Sequence, residues 1–386
     1  MFGIRGAQGS MTGAAGFCCR ACGSNEGEVV LDLGHQPPWD RMPPLTDPSP
    51  DPLYPLRMWW CRACWLAQLM EDADGIEEIA GVEPQAMLRQ TDLSIARMRE
   101  LGLLGVGTTA VEFGSSHGGS WRERLGVAAP ARGCRGDVVV DVYGLLHEPD
   151  QEAALRDRAA ALAPGGTLVL QLLSLATLIR DGQWYDLRHG HRGYWSVPAL
   201  DRALRRHGLG VHRAWRYPMA GGTVLVAATR DPLPDAATLD LMADEMRAGV
   251  ADAGRLRTLQ DAAGSAAQLR DWLRDERSAG RTVLGYGAAS RAVPLVCHAG
   301  LDAALLPAVG DIAAAKQGRR MPGTDIPIVS PEEIVARRPE RVVLFLPQLA
   351  DEVRAALPAV ERTGGRWVVL DPAPTVLDVT APHAAL

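Results

Sequence analysis

Two Cys-x-x-Cys pairs near the N-terminus, followed by two separate runs of short apolar strands alternating with helices, predict an α/β protein in three parts. A small N-terminal zinc-binding domain spans 17–75. A shortened Rossmann-like α/β domain follows over 90–235. Beyond a helical linker over 236–280 lies a C-terminal Rossmann-like α/β domain over 281–375. The 386 residues, 47% of them hydrophobic, can fill several cores.

The formal net charge of −6 argues against a nucleic-acid binder. No apolar run reaches the roughly 20 residues of a membrane helix. Met1 to Gly16 is Gly-rich and lacks the apolar core of a signal peptide, and Met11 is a second candidate start. These readings point to the cytoplasm, where the seven cysteines serve as thiols or ligands rather than disulfides. Of the 40 basic residues one alone is Lys, Lys316. In so Arg-biased a chain a single Lys marks a place for a compact ammonium.

Cys19-Arg-Ala-Cys22 and Cys61-Arg-Ala-Cys64 are short knuckles, each aiming two thiolates at one tetrahedral metal. Four thiolates leave no open position, so the expected zinc is structural. The 38 residues between the pairs hold Pro37, Pro38, Pro43, Pro44, Pro48, Pro50 and Pro52, and are expected to form an irregular loop. Cys18 adjoins the site; Cys134 and Cys297 read as packing residues.

In the next part the pattern predicts a helix over 93–103, a strand at Ala110–Phe113 and a Gly-rich turn over 114–119. A strand at 137–141, a helix over 151–163 ended by Pro164-Gly165-Gly166, and a strand at 167–171 follow. A helix over 197–207 and a strand at 223–228 close the domain. Strand, Gly-rich turn and helix open a nucleotide-binding domain. Only 17 residues separate Gly119 from Asp137, however. A dinucleotide-type half needs about 35–40 there for two more strands and two helices. The strand whose carboxylate would grip a cofactor ribose is therefore expected to be missing. Residues 183–196 hold His189, His191, three aromatics and an Asp beyond a strand end, where open α/β sheets place their chemistry. In an extended segment the two His share a face, and either can serve as a base near neutral pH.

Residues 236–279 read as a helical hairpin broken near Gly254 or Gly264. Thr282–Ser290 reads as a strand with a tight glycine turn into a helix, whose amides can receive a phosphate. Strands at 342–346 and 367–370 and a helix at 349–361 complete the C-terminal part. Lys316 sits in a polar loop, 316–324, able to fold over that phosphate.

The order of these motifs resembles the zinc-containing sugar C-methyltransferases of deoxysugar biosynthesis, which act on thymidine-diphosphate keto-sugars in antibiotic pathways. The matching pieces are the Cys pairs, Leu33-Gly-His-Gln-Pro37, the turn at Gly114, Leu145-Leu-His-Glu-Pro-Asp150 and Ala163-Pro-Gly-Gly166. His189-Gly-His191, Tyr194-Trp-Ser196, Gly285-Tyr-Gly-Ala288, Lys316-Gln-Gly-Arg319 and Pro322-Gly-Thr324 follow in the same order.

The resemblance implies a methyltransferase domain, a structural zinc and a base that makes an enolate next to a ketone, whose carbon then attacks the methyl of S-adenosylmethionine. It implies His191 as the base, with His189, Arg188 and Tyr194 beside it. Gly114, Ser115 and Gly118 fall at the methyl-donor turn. Gly285, Tyr286, Gly287, Ala288, Ser290, Lys316 and Gln317 fall where a nucleotide-linked sugar or related natural-product intermediate would bind. Several positions depart from the family pattern. Arg188 and Gly190 replace the Tyr and Glu of a Tyr-His-Glu-His signature, and His117 replaces an acid. Val142 and Tyr143 replace paired Asn, and 87–92 lacks the lid Tyr.

Since most losses fall on the donor side, the leading expectation is acid/base chemistry next to a carbonyl without normal use of S-adenosylmethionine: epimerisation, elimination or rearrangement. Arg188 would then hold the oxyanion. The alternatives are an active S-adenosylmethionine-dependent C-methyltransferase on a thymidine-diphosphate keto-deoxysugar, and a non-catalytic partner of a biosynthetic enzyme.

Overall fold

The computed structural model describes residues 16–73, 82–114, 120–219, 222–371 and 373–378. The first sheet has the order β1-β2-β3-β7 and is antiparallel: β1 (Gly27–Gln36), β2 (Tyr54–Cys61), β3 (Ala67–Leu69) and β7 (Gly193–Tyr194). The stretch between the Cys pairs is thus not one irregular loop. Val29–Leu33 and Leu56–Cys61 pair as strands, and the irregular part is confined to 37–53, where the prolines cluster. The side chains of β2 alternate between two cores. Met58 and Trp60 face the linker helices and the C-terminal domain, whereas Trp59 and Cys61 face the middle domain. The zinc sheet is therefore a wedge buried on both faces.

The middle sheet has the order β4-β5-β6-β9-β8: β4 (Ala110–Phe113), β5 (Gly136–Val142), β6 (Leu162–Leu173), β8 (Gly210–Tyr217) and β9 (Thr223–Thr229). Strands β4, β5 and β6 are parallel, and β9 and β8 antiparallel. Helix α1 (Gln85–Glu100) is longer than the expected 93–103, because Glu352 from the C-terminal domain accepts hydrogen bonds from the amides of Gln85 and Ala86 at 3.0 and 2.9 Å and caps it. Helix α2 (Arg122–Leu125) is a single turn. Helix α3 (Gln151–Ala160) stops before Pro164-Gly165-Gly166, which lies inside β6 as a looped-out irregularity: Gly136 pairs with Leu162, then Val138 with Thr167. Helices α4 (Leu175–Arg180) and α5 (Val197–Arg205) follow, the latter two residues shorter than expected.

The linker is not one hairpin but four helices, α6 (Ala236–Ala248), α7 (Ala253–Leu256), α8 (Thr258–Ala262) and α9 (Ser265–Ser278). Its first break falls at Gly249, with φ of 96°, and another at Ala263–Gly264. The C-terminal sheet has the order β12-β11-β10-β13-β14-β15: β10 (Val283–Tyr286), β11 (Val309–Gly310), β12 (Ile328–Val329), β13 (Arg341–Leu344), β14 (Arg366–Asp371) and β15 (Ala373–Val376). All are parallel except β15. Its helices include α10 (Ala292–His298), α11 (Pro331–Ala336) and α12 (Ala350–Ala356). The expected helix over 349–361 is interrupted at Leu357–Pro358. Among the described residues no helix is long and apolar enough to cross a membrane.

Candidate functional site

The zinc centre follows from two turns with the same backbone plan. In the first, the Gly23 amide donates to Cys19 O at 2.9 Å and the Cys19 amide to Ser24 O at 2.8 Å. In the second, the Trp65 amide donates to Cys61 O and the Cys61 amide to Leu66 O, both at 2.9 Å. Gly23 and Trp65, each following the second Cys, have φ of 72° and 68°. For Gly23 that is free; for Trp65 it costs about 1–2 kcal/mol. The turns bring the Sγ atoms of Cys19, Cys22, Cys61 and Cys64 within 4.8 Å of one another. Hydrogen bonds from Cys61 and Cys64 pull the Cys19 thiol far down, and both partners are correspondingly raised by Cys19. Clustered thiolates around a closed centre fit zinc, which supplies structure there. Cys134 is exposed rather than packed. Cys297 is partly buried, and burial pushes it up to about 12.

A cleft of about 720 Å³ opens between the three parts. The proline-rich loop contributes Trp39, Asp40 and Met42, and the loop after β6 contributes Arg188 and His191. That loop does not run extended. The His191 amide donates to Arg188 O at 3.3 Å across a turn in which Gly190 has φ of 82°, a conformation suited to glycine. The turn sends the two histidines to different places. His191 reaches the cleft wall, where Arg188 Nε donates to its Nε2 at 3.3 Å. His189 is buried against the zinc sheet, its Nε2 bonded to Pro55 O at 3.2 Å, and burial lowers its pKa. His189 thus packs against the zinc sheet and does not share the cleft wall with His191.

Arg188 is fixed by Asp186, whose Oδ1 accepts from its Nη1 at 2.7 Å; Arg291 from the C-terminal domain reaches the same oxygen at 3.3 Å. Asp186 is fully buried, so two guanidinium groups are held over one carboxylate. Tyr194 does not line the cleft. Its hydroxyl donates to Asp186 O at 3.0 Å and accepts from the Arg188 amide at 3.2 Å, and burial raises its pKa. Sequence reasoning gave His147 no role of its own. Its ring meets that of His191 edge-to-face at 4.8 Å, and its Nδ1 bonds Gly190 O at 3.0 Å.

On the C-terminal side, Tyr286, Gly287, Ser290 and Lys316 line the cleft. Lys316 Nζ donates to Ala288 O at 2.9 Å and pairs with Asp311 at 3.2 Å, tying its loop to the glycine turn. Gly285, Ala288 and Gln317 act one layer back. A Cβ on Gly285 would meet Phe345 at 2.8 Å, Ala288 offers its carbonyl, and Gln317 donates to Asp311 O.

The donor side differs. Ser115 and Gly118 lie outside the described residues, and Gly114 does not border the cleft. Strand β4 is the edge of its sheet. Beyond it a single parallel bridge, Thr109 to Ala128, stands where further strands would pair. The acid of β4, Glu112, is used in accepting from Ser120 Oγ at 2.6 Å and the Trp121 amide at 2.5 Å, capping α2. Tyr143 occupies the end of β5. Among the described residues no carboxylate stands on a strand beyond β4, so they do not fit S-adenosylmethionine held by its ribose in the usual way.

Comparison with known proteins gives three family models in tandem. One described as a putative zinc binding domain matches residues 19–77, a methyltransferase domain matches 56–214, and a C-methyltransferase C-terminal domain matches 218–372. The chain is 28% identical to the C-methyltransferase NovU of Streptomyces niveus over 414 residues, covering 93% of this chain and 96% of that one. The aligned length exceeds the 386 residues here, so the relative has segments that this chain lacks. Among solved structures, magnesium protoporphyrin IX methyltransferase from Synechocystis PCC 6803 overlaps 40% of this chain and 90% of its own at 13% identity and TM-score 0.30. A SAM-dependent methyltransferase from Thermotoga maritima overlaps 38% and 92% at 14% identity and TM-score 0.27. With a centre of four clustered cysteines and family models running in order from 19 to 372, the chain belongs to the zinc-containing C-methyltransferase family.

Proposed function

We propose that the protein removes a proton from a carbon next to the carbonyl of a small nucleotide-linked keto-sugar, the acceptor half of C-methyltransferase chemistry. The observation that supports this most is the contact between Arg188 Nε and His191 Nε2 on the cleft wall. It sets a guanidinium directly beside the imidazole. One group takes the proton and the other meets the charge that develops on the carbonyl oxygen. Asp186 keeps Arg188 in place, and Tyr194 and His189 keep the loop in place. The nucleotide diphosphate would lie along Gly287–Ser290 with Lys316 as its cation.

Two fates are open to the resulting enolate carbon. Methylation is backed by the family models and by the relative's name. Return of a proton is favoured by the reduced donor side described above. Solvent-deuterium uptake next to the ketone of a thymidine-diphosphate keto-deoxysugar tests the shared step. His191→Ala is expected to slow it by about 10²–10⁴-fold; uptake at an undiminished rate would refute the assignment.

A further inference from the structure

We propose that the proline-rich segment between β1 and β2 is a strap that holds the base and the nucleotide loop at their working separation, with Trp39 and Asp51 as its positioning residues; this rests on the acid/base reading of the cleft given above. The two loops belong to different domains. Arg188 and His191 sit on the loop after β6, whereas Lys316 sits between β11 and β12 of the C-terminal sheet. A substrate deprotonated at one end and held by its diphosphate at the other needs both loops in register, and a misplacement of about 1 Å can cost about 100-fold in rate.

The strap begins and ends on one residue of the base loop. Trp39 Nε1 donates to His189 O at 2.9 Å, and the carbonyl of Pro55, just inside β2, meets His189 Nε2 at 3.2 Å. Between these anchors the chain crosses to the C-terminal domain and lies along residues 318–324. The Leu45 amide donates to Gly318 O at 3.1 Å, Arg319 Nη1 to Met42 O at 2.7 Å and the Arg320 amide to Pro43 O at 3.0 Å, and Pro44 and Arg319 form an antiparallel bridge. Farther along, the two oxygens of Asp51 accept from the Arg320 guanidinium at 2.6 and 3.2 Å, and Arg320 Nη2 also donates to Ser49 O at 3.0 Å. The side chains of this pair are only 10% and 9% exposed. A planar fork on a carboxylate fixes direction as well as distance, and at such burial it is costly to break.

Stiffness comes from the sequence. Pro43, Pro44, Pro48, Pro50 and Pro52 restrict the backbone of the strap and leave it few other conformations. Trp39 and Met42 line the cleft, but Asp51 does not. Asp51 therefore acts on a ligand through Arg320, four residues beyond Lys316 in the same loop.

The two ends of the strap should fail differently, and the test uses that contrast. Full-length zinc-loaded protein is assayed for deuterium uptake into a thymidine-diphosphate keto-deoxysugar and titrated with thymidine diphosphate in calorimetry. Asp51→Asn is expected to raise KM and the Kd of thymidine diphosphate about tenfold and to leave kcat within about twofold. Trp39→Phe, which keeps an aromatic ring but no N–H, is expected to lower kcat about tenfold and to leave that Kd within about twofold. Arg319→Met cuts the tie to Met42 O without leaving a buried carboxylate unpaired, and guards against misfolding of Asp51→Asn; it should weaken thymidine diphosphate about fivefold. The same pattern in Asp51→Asn and Trp39→Phe, or unaltered affinity in both Asp51→Asn and Arg319→Met, would overturn the proposal. No deuterium uptake by the unaltered protein would instead overturn the role of His191, and the calorimetric contrast between the two ends would then decide the strap alone.

Discussion

The two α/β sheets of this protein both carry a strand followed by a glycine turn, but they place that strand differently. In the C-terminal sheet β10 is internal. The chain leaves it outward to β11 and β12, then returns to β13 on its other side. That reversal opens the crevice in which doubly wound folds bind ligands. In the middle sheet the chain also passes to the far side of β4 before returning to β5, but among the described residues only the single bridge at Ala128 pairs there. The same local motif therefore sits beside two outer strands in one sheet and beside a single bridge in the other. A glycine turn alone does not make a site; the strand order around it does.

Zinc removal should separate the two sheets most strongly. β7, which pairs with β3 of the zinc sheet, begins two residues after His191. Chelation is expected to reduce deuterium uptake into substrate more than about tenfold and to expose amides of β1–β3 and β7, while amides of β10, β13 and β14 keep their protection in hydrogen exchange. Loss of protection in both sheets together would mean that they are one folding unit.

The middle sheet is pH-sensitive on its far side. Glu245 of α6 accepts from the Val197 amide at 2.6 Å and from Ser174 Oγ at 3.2 Å, and burial raises it from 4.5 to about 7. The folded state thus holds a proton that the unfolded chain gives up near 4.5. Stability falls as pH rises from about 4.5 to 7, by about 3 kcal/mol in total. Glu245→Gln should abolish that slope in denaturation curves; an unchanged slope would assign it to other groups.

At the intact crevice, Lys316→Ala is expected to weaken thymidine diphosphate about 10–100-fold in calorimetry, and Lys316→Arg to restore little of it, because the bulkier guanidinium cannot make the paired contacts to Ala288 O and Asp311. Equal affinity in all three proteins would move the nucleotide elsewhere. The smallest effects contrast the glycines directly. Gly285→Ala drives a methyl against Phe345 and Val309 at 2.8 and 2.9 Å and should cost about 1–3 kcal/mol in thermal unfolding. Gly114→Ala meets nothing within 4 Å among the described residues and should cost less than about 0.5 kcal/mol.

Much of this was legible beforehand, for reasons that differ by element. Ligand spacing identified the four-cysteine centre because two short knuckles can converge on one ion. Counting the 17 residues after Gly119 foretold the truncated sheet, since strand and helix lengths leave little freedom. The single Lys did lie in the cleft. What escaped were features fixed by partners distant in sequence. Strands β7, β11 and β12 have two residues each and no pattern of their own, and α1 owes its first turn to Glu352. The pairing of His189 with His191 failed because Gly190 breaks the extended geometry that would put them on one face. Tyr143 appeared only as a lost Asn, since a left-handed backbone has no sequence signature in a tyrosine.

The two-residue strand β7 has a consequence for how this chain can be cut and how it is made. The zinc knuckles are complete once Cys64 leaves the ribosome, yet the strand that covers β3 comes more than a hundred residues later. Until then a short metal-stapled sheet waits with the outer edge of β3 unpaired and with Trp59, Trp60 and Met58 uncovered on both faces. A fragment ending near residue 75 would bind its ion and still aggregate, and the lobe is a module in its metal chemistry but not in its solubility.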